Sequence, residues 1–251
     1  MHDAAVFRMP RGGWVAGILV GWVALTALLP LGQLLVWAWQ TFTADGRLVH
    51  WLFNTLRLSG LAIVVIVLLA LVLLIARAHA PFLAPLLRGM ALGYVLPGTL
   101  VGIAILALQR SWDVLYLWPL AALALGYAVR FFPLVWYPLC DAFERVTPSL
   151  HRAMALYSGD IGWRRAVLYG RTLLPAMASG VLLLFIDIAR ELPMTLILRP
   201  ADSDTLAVRI YALVSEGLYA EASVPAVVLL VVSACGYAVL SVVQRLGWWT
   251  R

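Results

Sequence analysis

The sequence contains no lysine: all 18 of its basic residues are arginine. A phosphate-binding GxxxxGK[ST] loop is therefore impossible, as is Schiff-base chemistry on an ε-amine, so any ATP-driven work has to be powered by another chain. Charge of either sign is scarce. Charged residues fill 12% of the 251 positions where an ordinary soluble domain has about 25%, and apolar residues fill 64%. With a mean hydropathy of +0.96, this balance excludes a water-soluble globular fold. It also removes nucleic acid as the partner implied by a net charge of +6, because arginine in such a chain is read for orientation in a lipid bilayer. Cys140 and Cys235 sit in apolar sequence with no CxxC pairing and read as packing residues. His2, His50, His79 and His151 are far apart and outside the apolar runs, which speaks against a histidine metal site. No HExxH or serine–histidine arrangement lies within those runs, so the chain is read as non-enzymatic.

What the sequence has instead is long apolar stretches. Six runs, 14–39, 58–76, 89–108, 114–139, 176–198 and 224–243, have lengths of 19 to 26 residues. Each is close to the roughly 20 residues that a helical crossing needs, with tilt absorbing the excess. They predict an all-α polytopic membrane protein, a single domain over residues 1–251 with six transmembrane helices. Arg8 and Arg11 before the first run resemble the start of a signal peptide, but the apolar region is too long and is read as a crossing. With the N-terminus inside, eleven arginines fall on inner segments and four (Arg47, Arg110, Arg199 and Arg209) on outer ones. Both termini are therefore expected in the cytoplasm. Glycines four residues apart (Gly13, Gly17 and Gly21; Gly89 and Gly93; Gly98 and Gly102) are compatible with close helix packing. No duplicated half is visible, so a pseudo-twofold pore requires a second subunit.

Residues 141–175 form the one long inner segment. Thr147-Pro148 suits a helix start, Leu150, Met154 and Tyr157 share a face, and Gly159 suits a stop. A second helix is expected over 163–174 before Pro175 opens the fifth crossing. On the outer side, residues 199–223 are expected to hold a short helix capped by Ser203 or Asp204.

Inside the crossings, ionisable groups are costly and usually face protein or water. Asp187 falls near the middle of the fifth, Glu191 one helical turn later, with Arg190 beside it and Pro193 weakening the helix beyond; Arg130 lies inside the fourth. Two readings stay open: a translocation path or gate at a subunit interface, or an ion pair of Arg130 with Asp187 or Glu191 holding the bundle together.

The run Ala153-Met154-Ala155, then Gly159, Trp163-Arg164 and Leu174-Pro175, resembles the EAA loop of binding-protein-dependent ABC importer permeases. Alanine at 153 replaces the usual glutamate, and the distance from Gly159 to Leu174-Pro175 exceeds the family's. Counting from Gly162 restores the distance but puts Leu156-Tyr157-Ser158 in the place of the motif. The resemblance implies an ATPase-coupling contact through Ala153, Met154, Ala155, Ser158, Gly159, Asp160, Gly162 and Trp163.

Phe185-Ile186-Asp187, Arg190-Glu191-Leu192-Pro193, Leu198-Arg199-Pro200 and the stretch from Asp204-Thr205-Leu206-Ala207 through Arg209 to Tyr211 are similar to the ferric-iron branch of that family. Its pattern runs KELPxTLxLRP and then DTLAxR. Asn54-Thr55-Leu56, Tyr94 with Leu96-Pro97-Gly98-Thr99, and Tyr127 with Arg130-Phe131 look like the same branch. The resemblance implies a type I ABC importer permease fold of half size, paired with itself or with a companion permease in a bacterial inner membrane. It further implies an ATPase dimer that uses ATP, an extracytoplasmic substrate-binding protein, no cofactor on this chain and ferric iron as cargo. The in-span charges do not choose a cation, so sulfate, phosphonate and thiamine stand as alternative cargoes. An ion-coupled secondary transporter stands as the alternative mechanism.

Overall fold

In an apolar solvent the backbone can satisfy its own polar groups only within helices or closed barrels, and this chain forms helices. The computed structural model describes residues 13–42, 46–80, 85, 87, 89, 90, 92–111, 118–144 and 161–249, and all regular structure among them is helical. Helix α1 (Gly13–Val23) passes through a π-helical turn (Ala24–Leu28) into α2 (Leu29–Thr41). There follow α3 (Gly46–His79), α4 (Leu92–Val95), α5 (Gly98–Ser111), α6 (Pro119–Glu144), α7 (Ile161–Ala189), α8 (Pro193–Leu198), α9 (Leu206–Ser215) and α10 (Tyr219–Trp249).

Four stretches, Trp14–Thr41, Gly46–Arg77, Pro119–Glu144 and Tyr219–Arg245, are long and apolar enough to cross a membrane, which marks a polytopic membrane protein. The other two expected crossings are interrupted. Run 89–108 is divided at Leu96-Pro97 into α4 and α5, and run 176–198 is divided at Arg190-Glu191-Leu192 into α7 and α8. Proline accounts for the position of each break. It has no N–H to give to the preceding turn but fits the start of a new one. Pro97 accordingly accepts the first bonds of α5 on its carbonyl, from Leu100 and Val101, and Pro193 opens α8.

The expected break at Pro175 does not occur. The predicted 163–174 helix is the first part of α7, which runs unbroken from Ile161 to Ala189. An interior proline forfeits one backbone bond and still passes within an apolar helix when its neighbours remain packed; Pro133, Pro138 and Pro225 do the same. Thus segment 141–175 consists of the end of α6, the start of α7 and residues 145–160, and Ala153, Met154, Ala155, Ser158, Gly159 and Asp160 lie outside the described residues. Gly162 and Trp163 are in the first turn of α7.

Helix α6 is the centre of the bundle. Tyr127, Phe132, Val135 and Leu139 are completely or almost completely buried against Leu184 of α7, Met194 of α8 and the α3 stripe of Leu58, Ala62, Ile66, Ala70 and Leu74. The four-residue period of that stripe gives α3 a straight packing ridge. Helix α7 lies between α6 and α10, and α10 in turn holds α2, so the N-terminal helices are outermost and none of their described residues is fully buried.

Candidate functional site

Arg130 lies 11 residues into α6 and 14 from its end, or about 16 and 21 Å along the axis. That is the middle of an apolar crossing. Its Nη1 donates to Oε2 of Glu191 at 2.7 Å. Glu191 stands in the break between α7 and α8, only 7% exposed. Its Oε1 accepts the backbone N–H of Met194 at 3.2 Å, one of the donors that a helix start leaves without an internal partner. The Glu191 carbonyl accepts from Thr195 Oγ1 at 2.7 Å, and Thr195 shares a 2.6 Å bond with the buried Tyr127 hydroxyl of α6. The polar groups released by the break are thereby returned to hydrogen bonds, and Glu191 is held through both its carboxylate and its backbone.

The pair is roofed by the second broken helix. A Cβ on Gly98 would overlap Nη1 of Arg130 and Oε1 of Glu191, and one on Gly93 would overlap the Val129 carbonyl. Hydrogen at these two positions is what lets the α4–α5 break lie flat on α6.

Asp187 does not join this pair. In a continuous helix Asp187 and Glu191 share a face, but α7 ends at Ala189 and Glu191 turns away. Asp187 instead takes Arg190 Nη2 on Oδ1 at 3.0 Å and the Tyr94 hydroxyl on Oδ2 at 3.0 Å. The two groups differ in access: the Arg190 and Asp187 side chains are 53% and 26% exposed, whereas Glu191 is enclosed. Phe131 lies between them, its ring centroid 6.4 Å from that of Tyr94 and 6.1 Å from that of Tyr127. Charge exposed at this depth faces water or protein, since facing hydrocarbon costs about 2.5–3.5 kcal/mol per group even on the mildest scales. Chemically, the site offers one locked ion pair and one open group of carboxylate, guanidinium and phenol able to meet a polar solute.

No family model matches the chain, and no curated protein matches it. The site is accordingly described from its own residues. Arg130, Asp187, Arg190, Glu191 and Pro193 are brought together, while the coupling residues other than Gly162 and Trp163 lie outside the described residues. Sequence reasoning did not place Tyr94, Gly98, Tyr127 or Thr195 in the site. The available signal was hydroxyls and a glycine in apolar sequence beside Pro97 and Pro193. Among the described residues no three His, Cys, Asp or Glu side chains converge on a point.

Both ends of the bundle are fastened by polar contacts. At one end, Asn54 of α3 donates to the Asp202 and Asp204 carbonyls at 3.1 and 3.2 Å, and Thr55 Oγ1 accepts from Leu206 N at 2.9 Å. The cap of α9 is Thr205, which accepts from Val208 N at 3.3 Å; Asp204, expected in that role, is paired with Arg199. The hydroxyl of the expected cap Ser203 donates instead to Ala201 O at 3.5 Å. At the other end, Arg77 and Glu144 pair at 2.5 Å beside a cavity of about 200 Å³ lined by Trp136, Cys140 and Asp141.

Proposed function

We propose that the chain is the membrane-spanning permease subunit of an ATP-driven importer of the ABC type, one half of a pore completed by a second copy or a companion permease. The observation that carries this reading is the meeting of two broken helices at mid-depth around Arg130, Glu191, Asp187 and Arg190. Transporters bind solutes at interrupted helices near the midplane, because only irregular backbone offers polar groups there. Helix α7 supplies a mechanical link: from Ile161, beside the EAA-like segment, it runs unbroken to the Asp187 turn, 26 residues further on or about 39 Å. A cytoplasmic ATPase dimer gripping that segment moves the rod as a body, and the break above Ala189 is where the motion is absorbed. The locked Arg130–Glu191 pair keeps α8 on α6, while Asp187, Arg190 and Tyr94 exchange partners with the solute.

The remaining parts of the proposal are six crossings, both termini in the cytoplasm of a bacterial inner membrane, an extracytoplasmic binding protein, and ferric iron as cargo. The described charges of the site cancel, two arginines against two carboxylates, so the cargo rests on the sequence pattern from Arg190 to Arg209. Deleting the gene is expected to lower radiolabelled iron uptake under iron limitation, with complementation restoring it and Asp187→Asn failing to restore it. Unchanged iron uptake with loss of sulfate, phosphonate or thiamine uptake replaces the cargo and keeps the permease. Uptake that survives loss of the ATPase but collapses with an ionophore replaces the permease with an ion-coupled carrier. Cysteines at Ser158 and Ser203 are expected to label from opposite sides, and crosslinks from Ser158 or Asp160 are expected to reach the ATPase.

A further inference from the structure

Within the open group at mid-depth, Arg190 is the exposed half of its ion pair, 53% against 26% for Asp187. Its guanidinium is held along one edge: Nε donates to the Ile186 carbonyl at 3.1 Å and Nη2 to Asp187 Oδ1 at 3.0 Å. An arginine carries five N–H groups, so three remain, two on Nη1 and one on Nη2. Among the described residues none of the three has an acceptor. The carboxylate is in the opposite condition, since Oδ1 takes Arg190 and Oδ2 takes the Tyr94 hydroxyl at 3.0 Å. The pair is neutral as a whole, so the sign of its ligand is decided by the atoms it presents. Those atoms are charged N–H donors.

Nη1 and Nη2 form the end of the planar fork, and two parallel N–H groups so placed match two oxygens of one carboxylate, phosphate or sulfate. Ile186 and Asp187 orient the fork before any ligand arrives, which lowers the ordering cost of binding. A bare metal cation meets the reverse situation. To reach Asp187 it has to displace Arg190 and leave that charge without its partner inside the crossing, where an unpaired ion is penalised. Resting on the reading of the chain as a permease, we propose that the solute meets the mid-depth group through an oxyanion seated on Nη1 and Nη2 of Arg190. The Asp187 bond is still made when the solute docks, so its arrival begins at Arg190. Iron passing this point does so inside a shell of carboxylate or phosphate oxygens and not as the bare ion.

The test is arginine modification by phenylglyoxal on the full chain purified in detergent, read by peptide mass spectrometry so that each arginine reports separately. It needs no variant that could misfold, and Arg57, exposed on α3, is the internal control. The probes are sulfate, phosphate, citrate and ferric citrate, each compared with chloride at equal ionic strength. At least one of them is expected to slow modification of Arg190 about tenfold, the effect of one hydrogen bond to a charged group, and to leave Arg57 unchanged. Ferric citrate protecting at lower concentration than citrate alone supports the proposal with chelated iron as the source of the oxyanion. Protection by sulfate or phosphate, with no advantage for ferric citrate, supports it with a free oxyanion as the source. No protection by any probe overturns it, as does an Arg190 that resists modification in chloride and is therefore not open. Lanthanum chloride, a bare trivalent cation, is expected to leave Arg190 unchanged; faster modification in its presence means that the cation has taken Asp187 and overturns the proposal. Protection of Arg190 in a chain whose uptake survives loss of the ATPase keeps the oxyanion site and removes the ABC reading, so the two fail separately.

Discussion

Gly17 and Gly21 of α1 and Gly98 and Gly102 of α5 have the same four-residue spacing in apolar helices, and their surroundings are opposite. Nothing comes within 4 Å of a side chain built on either α1 glycine, whereas Gly98 is covered by Arg130 and Glu191 and Gly102 by Ile197 and Met194. The spacing cuts the same flat stripe in both helices, so the stripe alone does not bring a neighbour. In lipid there is no hydrophobic gain from pressing two apolar helices together; packing, hydrogen bonds and the need to enclose polar groups decide. Helix α1 has no charged side chain to enclose. The α5 stripe covers an ion pair that hydrocarbon would penalise, and there close approach is enforced.

The most severe way to break this contrast is to fill both stripes with the same side chain. Gly98→Leu is expected to lift α5 from the Arg130–Glu191 pair, and each charged group so turned toward hydrocarbon costs about 2.5–3.5 kcal/mol even on the mildest scales. The variant should be lost from the folded fraction in a thermal unfolding assay in detergent. Gly17→Leu should stay within about 0.5 kcal/mol of the parent, as an outward substitution does. Equal losses in the two variants would show that α1 is packed in the membrane against something this chain does not supply.

The two carboxylates sharpen the same contrast within the site. Glu191→Gln keeps an acceptor for Met194 N–H but strands the Arg130 charge beside Gly98, so a loss of about 3–5 kcal/mol is expected together with loss of uptake. Asp187→Asn weakens a half-open pair whose worth is about 0–1 kcal/mol, so expression and melting should remain near normal while uptake falls. Parallel loss of inserted protein in both variants would assign Asp187 a structural role as well.

A smaller effect is expected at Tyr127→Phe. It removes one hydrogen bond to Thr195, worth about 1 kcal/mol, while Thr195 still donates to the Glu191 carbonyl. In a double-mutant cycle with Thr195→Val, a coupling near zero would mean that the α6–α8 contact depends on shape alone.

These contrasts also mark where sequence reasoning ran out. The apolar runs were legible because a crossing needs only length and composition. The breaks were not, since Pro133, Pro138, Pro175 and Pro225 pass through helices that Pro97 and Pro193 interrupt. At Pro193 the break is held by side chains on both sides of it: Thr195 donates to the Glu191 carbonyl before the proline, and the Glu191 carboxylate accepts the Met194 N–H after it. Choosing Glu191 over Asp187 as the partner of Arg130 required knowing that α7 stops at Ala189, because four-residue spacing puts both carboxylates on one face. The contacts of Tyr94 with Asp187 and of Tyr127 with Thr195 join residues 93 and 68 positions apart, beyond the reach of any local pattern.

The smallest effect separates the two cysteines, both of which read as packing residues in the sequence. Cys140 is buried near the C-terminal end of α6, 6% exposed, whereas Cys235 faces outward on α10. Its neighbour Gly236 is the position that meets α7, where an added Cβ would come within 3.0 Å of Ile186. One residue is about 100° of helix, enough to carry Cys235 away from that contact. Cys140→Ala therefore empties a packed site and is expected to cost about 1 kcal/mol, the lower end of large-to-small core changes, while Cys235→Ala should remain within about 0.5 kcal/mol. Melting curves of the two variants in the same detergent compare them directly. A larger loss at Cys235 would mean that the outer face of α10 is covered in the intact protein, which would extend the enclosed region beyond α6 and join the periphery to the centre.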